Sequence, residues 1–388
     1  MFVQLTKEEE KALNGEKGEA LATAYRILLA IGESTNAQKL VPVQWAHVSG
    51  VNYNTIGDAG IQFLEKLSKD GKFATRTTIN PMGYDPLKVS SLKLKAEFIT
   101  QQNRIVDAYA RMGATKSYTC IPYEMFGMPS AGTDVSFAES SAAVYANSIS
   151  NVRTNKESAL SALASAITGK SPYSELRMKE MRKPSKCIKI MNKLDNELDY
   201  GLLGYFAGKV AGNVVAFDNI SIKPWEKRNA KALSAAIGTS GSCGMFTVGK
   251  TDGETIEFGK EEAKKVKDEL NTSERGDIIT LGSPQLGIDD LSLLASMVDG
   301  KKFRKRCLIF CARAAYDSAR YLGYTQKIES AGGEMLCDCC TCLTPLVDRN
   351  DVDSVVTNSI KGAYYLNNSN KVGVCLKSLK EIVKQECV

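Results

Sequence analysis

Apolar residues recur at three- and four-residue spacing over residues 7–31, with Leu13, Ala20, Ala24 and Leu28 on one stripe, which predicts a helix ending near Gly32. Thr6-Lys7-Glu8-Glu9 reads as its capped, acidic start. The run 40–43 then predicts a short strand leading into Ala46-His47-Val48-Ser49-Gly50. A helical pattern returns at 59–69, and a strand at 75–80 stops at Pro81-Met82-Gly83. Further on come an Ala/Ser-rich helical tract at 140–168, a small-residue strand and turn region at 201–222, and a Gly-rich loop at 238–244. A strand-turn at 245–258, a charged helix at 259–271, strands near 277–281 and 306–311, and a strand–helix pair near 372–385 complete the pattern. Strands repeatedly end in Gly-, Ser- and Asn-rich loops that open helices. That is an α/β signature, and ligand sites in such folds collect at the carboxyl ends of strands.

Length divides this pattern. The chain has 388 residues, more than one hydrophobic core usually serves, so two α/β domains are expected. We place them at 1–222, with the His47 and Glu139 segments, and at 223–388, with a cysteine-rich loop, the boundary falling within 223–227. No internal repeat or low-complexity linker interrupts either half. No apolar stretch approaches the roughly 20 residues that span a bilayer, and no signal peptide opens the chain, so a cytoplasmic protein is expected.

Charge excludes one class of partner. Fifty Lys and Arg face 44 Asp and Glu, a formal +6, but the bases are dispersed. The densest run, 301–306, reads as a solvated helix end or loop, and no nucleic-acid-binding module is legible. A mildly basic balance suits a small anionic substrate.

Eleven cysteines are many for a long chain without a signal, where thiols rather than disulfides are the default. Most are expected to be small buried hydrophobes. Cys337-Asp338-Cys339-Cys340-Thr341-Cys342 holds two overlapping CxxC spacings, compatible with zinc, a redox pair or an iron–sulfur site. No second CxxC and no nearby His completes a zinc tetrad, and Cys307 and Cys311 sit at a strand end from which they could converge. The single histidine, His47, ends a strand beside Ser49 and Gly50, whose loop can hold a carboxylate or phosphate. Asn80-Pro81-Met82-Gly83 ends another strand with an amide available to a ligand. Ser140, Asn147, Arg153 and Lys156, read on one helix, offer donors and charge for carboxylate binding.

Together these segments resemble a known family. Glu139-Ser140-Ser141-Ala142-Ala143-Val144-Tyr145-Ala146-Asn147-Ser148, running on to Arg153-Thr154-Asn155-Lys156-Glu157, is similar to the aconitase superfamily signature. Ala46-His47-Val48-Ser49-Gly50, Thr55-Ile56-Gly57-Asp58-Ala59-Gly60, Asn80-Pro81, Leu281-Gly282-Ser283-Pro284-Gln285-Leu286 and Thr357-Asn358-Ser359 resemble its aconitase X branch. Matches run from about residue 38 to 365. Two departures stand out: Cys339 occupies the place of a Thr before the ligand cysteine, and Asn151 the place of a Gly.

The resemblance implies an aconitase-like multi-layer α/β/α fold with mixed or parallel sheets, and a hydro-lyase whose large subunit holds a cluster, [4Fe–4S] by expectation, on three cysteines. Carried over by position, these are Cys120, Cys340 and Cys311, with Cys307 in reserve. Val48, Ser49, Gly50, Asn80 and Pro81 would form one wall of the substrate pocket and Glu139 and Ser140 the other, with Ser359 and Lys361 at the substrate's anionic end. The implied reaction is dehydration of (R)-5-phosphomevalonate to trans-anhydromevalonate 5-phosphate in an archaeal-type mevalonate pathway. The alternatives are dehydration of cis-3-hydroxy-L-proline, or a non-catalytic protein that senses or binds a cluster. A separate small subunit of about 130 residues is implied as heterodimer partner. Relatives take their base from a serine on that mobile part, so no base is named on this chain.

Overall fold

The computed structural model describes residues 3–220, 222 and 227–388. Its strands, in chain order, are β1 (Leu40–Pro42), β2 (Trp45–Val48), β3 (Arg76–Ile79), β4 (Ser136–Phe137), β5 (Lys170–Pro172), β6 (Lys186–Ile190), β7 (Val214–Asp218), β8 (Met245–Val248), β9 (Glu254–Phe258), β10 (Ile278–Leu286), β11 (Cys307–Cys311), β12 (Gly333–Cys337), β13 (Ser354–Thr357) and β14 (Gly373–Leu376). They form three parallel sheets, ordered β3-β2-β4, β8-β7-β6-β9 and β12-β11-β10-β13-β14. An antiparallel ribbon, β1-β5, flanks the first. Parallel strands buried on both faces read as continuous apolar runs, as Cys307–Cys311 does, because helices cover each side. The α/β layering expected from the sequence is therefore present. No described helix is long and apolar enough to cross a membrane.

Helix boundaries differ from the sequence pattern where backbone chemistry intervenes. The expected 7–31 helix is two, Lys7–Leu13 and Glu19–Ser34, broken before Gly18 at φ 102°. Thr6 does close the expected capping box with Glu9. The 140–168 tract is likewise two helices, Ser140–Ser148 and Ala159–Thr168. Between them Asn151 sits at φ 52°, a left-handed position that Asn tolerates better than most residues with side chains.

The segment 201–222, read as strand and turn, is the second half of helix Glu197–Val210 followed by β7. Its glycines permit close helix approach. A Cβ on Gly204 would lie 2.6 Å from the Leu233 carbonyl oxygen of helix Lys227–Ser240. Gly238, expected in a loop, is inside that same helix, and a Cβ there would meet the Ser140 carbonyl at 2.8 Å. Small residues thus seat this helix directly on the start of helix Ser140–Ser148. The domain boundary expected at 222/223 falls mostly outside the described residues. A cut there would also separate β6 and β7 from β8 and β9, which share one sheet.

Beneath the first sheet Arg177 is fully buried. It bonds Glu157 at 2.8 Å, Asp134 at 3.3 Å, the Ser171 hydroxyl at 2.9 Å and the Arg153 carbonyl at 3.1 Å. Removing the cation would leave the largely buried Glu157 without a cationic partner and Asp134 with Arg153 alone. Arg177→Met is expected to destabilise the fold by about 3–5 kcal/mol, read as an earlier urea-unfolding midpoint. An unchanged midpoint would contradict this account.

Candidate active site

The carboxyl ends of β2, β3 and β10, and the loops after β4 and β12, open onto one cleft of about 460 Å³. Its lining includes Ser49, Gly50, Asn80, Pro81, Cys120, Glu139, Ser140, Cys340 and Lys361, all expected from the sequence. Asn52, Thr55, Ile56, Ser283, Cys342, Leu343 and Tyr365 line it too. Gly50 takes φ 80° at the rim, where the chain turns from β2 towards helix Tyr53–Leu67.

Three thiols face this cleft: Cys120, Cys340 and Cys342. The Cys340 thiol interacts with the other two, which favour its deprotonated form and push it well below the ordinary thiol range, against burial and with help from Lys361. Burial and Cys340 push Cys120 well up, and Cys340 and burial do the same to Cys342. The Cys120 sulfur accepts from the Gln285 backbone N–H at 3.2 Å, and the Ser283 hydroxyl lies 3.5 Å from the Cys342 sulfur. Such donors stabilise thiolates (weakly, one by one). Among the described residues no group of three His, Cys, Asp or Glu is arranged to hold a single metal ion. A cluster asks instead for several thiolates around one shared cavity, and Cys120, Cys340 and Cys342 line one.

Cys311 does not join them. In register with Cys337 on the neighbouring strand, it lies 3.9 Å sulfur to sulfur from it, packed among Ala315, Ala319 and Ile328. Cys307, the reserve, is buried in the same apolar layer. The loop after β12 explains the sorting. Asp338 adopts φ 63°, and the chain turns so that Cys337 and Cys339 pack inward while Cys340 and Cys342 face the cleft. The 339–342 spacing was visible in the sequence, but which of its thiols faced outward depended on this turn.

Val48 is also corrected: its side chain is wholly buried in the core behind the first sheet. Only its carbonyl serves the site, accepting the Asn80 N–H at 2.9 Å. Ser359 is the N-cap of helix Ile360–Tyr365, accepting from the Gly362 N–H at 2.7 Å and donating to the Ser283 carbonyl, and it lines a smaller neighbouring pocket. Asn147, Arg153 and Lys156 do not share a helix and serve structure. Asn147 bonds Thr154 and Gly244, Arg153 pairs with Asp134, and Lys156 caps the Gly238 and Gly241 carbonyls.

Behind the cleft runs a chain of buried polar groups. Glu139, N-cap of helix Ser140–Ser148, accepts from the Asn80 amide at 2.8 Å on one oxygen. Its other oxygen accepts from the Ser141 hydroxyl at 2.9 Å and from the Lys361 ammonium. Burial opposes ionisation of Glu139, but Lys361, Asn80 and Ser141 outweigh it and hold the carboxyl below its usual range. Burial likewise opposes the charge on Lys361, and Glu139 with the thiols nevertheless raises it. His47 lies one step further back, fully buried between Thr78 and Asn80 at 2.7 Å each. Desolvation pushes its imidazole down to about 4, so it is neutral near pH 7.

Gln285 is a residue that pattern reading missed, because a lone Gln after Pro284 carries no signal. Its side chain accepts from the Cys120 N–H at 3.2 Å and its amide reaches the carbonyls of Tyr118, Cys311 and Cys339. One side chain therefore ties together the segments bearing two of the clustered thiols.

Comparison with known proteins identifies the family. Family models described as aconitase X first, second and third domain match residues 2–180, 184–281 and 276–388. The chain is 36% identical to a phosphomevalonate dehydratase large subunit of Methanocaldococcus jannaschii, covering 98% of this chain and 99% of that one. It is 30% identical to a cis-3-hydroxy-L-proline dehydratase of Hypocrea jecorina, covering 94% of this chain but 65% of that one. The crystal structure of Thermococcus kodakaraensis aconitase X in its holo-form superimposes with a TM-score of 0.91 at 33% identity, over 99% of this chain and 100% of that one. The chain belongs to the aconitase X family.

Proposed function

We propose that the chain is the large subunit of a hydro-lyase that dehydrates (R)-5-phosphomevalonate to trans-anhydromevalonate 5-phosphate. The observation that supports this reading best is the meeting of three thiols with an ionised Glu139–Lys361 pair on one cleft. Cys120, Cys340 and Cys342 would hold an iron–sulfur cluster, [4Fe–4S] in type, with Cys342 in the role first given to Cys311. Bound there, such a cluster supplies Lewis-acid assistance to the departure of a hydroxyl group, through an iron that lacks a protein ligand.

The chain's own groups do the rest of the binding. Lys361 is the sole Lys or Arg among the residues lining the cleft, and it places positive charge on the floor for an anionic substrate. Ser49 and Ser140 offer hydroxyls from opposite walls, and Asn80 is held between them by its bonds to His47 and Glu139. Glu139 already accepts from three side chains, and His47 has both nitrogens occupied away from the cleft lining. The base is accordingly assigned to a partner, a small subunit of about 130 residues closing the cleft to form a heterodimer. Relatives matched end to end are named large subunits, which supports the two-chain form. The same relatives, at higher identity and fuller coverage than the hydroxyproline dehydratases, support phosphomevalonate as substrate. A cytoplasmic location suits eleven unpaired cysteines, ten of them buried.

The test is anaerobic reconstitution of the full chain with its small subunit, followed by the appearance of a carbon–carbon double bond with each substrate. Phosphomevalonate should be turned over. Turnover of cis-3-hydroxy-L-proline alone would replace the substrate, and turnover of neither with iron fully loaded would end the enzyme reading. A second measurement addresses the ligands. Cys120→Ser, Cys340→Ser and Cys342→Ser should each lower iron bound per chain, whereas Cys311→Ser should keep it. Full iron in Cys342→Ser would refute that assignment.

A further inference from the structure

The single histidine lies outside the cleft lining, has no exposed surface and has both ring nitrogens engaged. Neither a ligand nor an acid–base role is open to it in that setting. One of its two neighbours, however, determines which nitrogen bears the proton. On one side the Thr78 hydroxyl, which accepts from the Trp45 indole N–H at 2.8 Å, lies 2.7 Å from His47 Nδ1 and is able to give that nitrogen its proton. On the other side Asn80 gives its amide N–H to Glu139 at 2.8 Å, so its oxygen faces His47 Nε2 at 2.7 Å. Nδ1 must accept and Nε2 must donate. The Asn80 end requires this tautomer of the neutral ring, and the Thr78 hydroxyl accommodates it.

From this geometry we infer that His47 is a positioning residue: its Nε2–H orients the Asn80 amide, and through it the Glu139 carboxylate and the Lys361 ammonium that face the substrate. A terminal amide alone can turn over at little cost, since its oxygen and nitrogen are nearly equal in size. A turned amide would set its oxygen against the Glu139 carboxylate and release that group. The imidazole N–H prevents this, because it can bond only to an oxygen. Register places the three together: His47 on β2 pairs directly with Thr78 on β3, and Asn80 follows two residues later. Phe137 packs edge-on against the ring, centroids 5.8 Å apart, and the imidazole has no surface open to solvent.

The consequence for turnover rests on the dehydratase reading above, whereas the tautomer does not, so the two are tested separately. Because His47 is the one histidine in the chain, ¹⁵N-histidine labelling of a full-length protein purified without a histidine tag gives a single imidazole. Its nitrogen resonances should report the neutral Nε2–H form, and an Nδ1–H or doubly protonated ring at pH 7 would overturn the inference whatever the enzyme does. In the reconstituted complex, His47→Phe should keep its iron and a cooperative melt, at a lowered temperature, while losing kcat/KM on the order of 10–100-fold. His47→Gln, which retains a donor towards Asn80, should recover most of that loss. His47→Phe at wild-type kcat/KM, or a loss that His47→Gln fails to relieve, would leave His47 with no positioning role. Inactivity of the wild-type complex on every substrate would count against the dehydratase reading alone, since the resonances still decide the tautomer.

Discussion

The buried ion pair between Glu139 and Lys361 is the constraint on which the site depends. The two residues lie 222 positions apart, one following the first sheet and the other following β13 of the third. Neither could be buried charged without the other, because an unpaired carboxylate or ammonium in such a setting costs more than the site could bear. The pair thus couples the docking of the first and third sheets to the creation of a charged cleft floor. Surrounding bonds complete the satisfaction of both groups. Asn80 and Ser141 take up the remaining carboxylate lone pairs, and the thiols lie close enough to Lys361 to share its field.

A second set of ties holds the cysteine loop against the first sheet. Asp85 accepts from the Cys337 N–H at 2.9 Å and also pairs with Arg313, which itself bonds Asp338. The Met82 N–H donates to the Asp338 carbonyl, and the Asn52 amide to that of Leu343, each at 2.9 Å. These bonds bracket Cys340 and Cys342 on both sides. The thiols are therefore placed by backbone anchored at either end, which is how loops achieve the small tolerances that a multi-thiol site needs.

Much of this was readable in the chain, and the reasons divide cleanly. Segments whose function depends on residue type at a strand end were legible, as with Ser49 and Gly50 after β2 or Asn80 and Pro81 after β3, because apolar run, turn residue and polar group follow one another locally. Cys120 and Cys340, named by resemblance, both line the cleft. The place of Cys342 on the cleft was not legible, because its orientation is decided by the left-handed turn at Asp338, the two carbonyl contacts above and a glutamine from another strand, none of which leaves a periodic mark. Cys311 misled for the opposite reason. Its position at a strand end looked favourable, but side-chain alternation on β11 points it at Cys337 and the helices behind.

Helix Glu197–Val210 shows the same limit at the level of fold. Gly201, Gly204 and Gly208 depress its helical propensity and made the segment read as strand and turn. Gly201 makes room for Ile360, whereas Gly204 and Gly208 allow helix Lys227–Ser240 to come within backbone contact, where a Cβ on Gly208 would stand 2.8 Å from the Ile237 carbonyl. Gly238, on the facing helix, then brings that helix against the Ser140 carbonyl and so braces the start of the helix that Glu139 caps. Propensity is given up locally because tertiary packing returns more than a single helix loses. The glycines that obscured an element are thus part of what sets the Glu139 carboxylate in place.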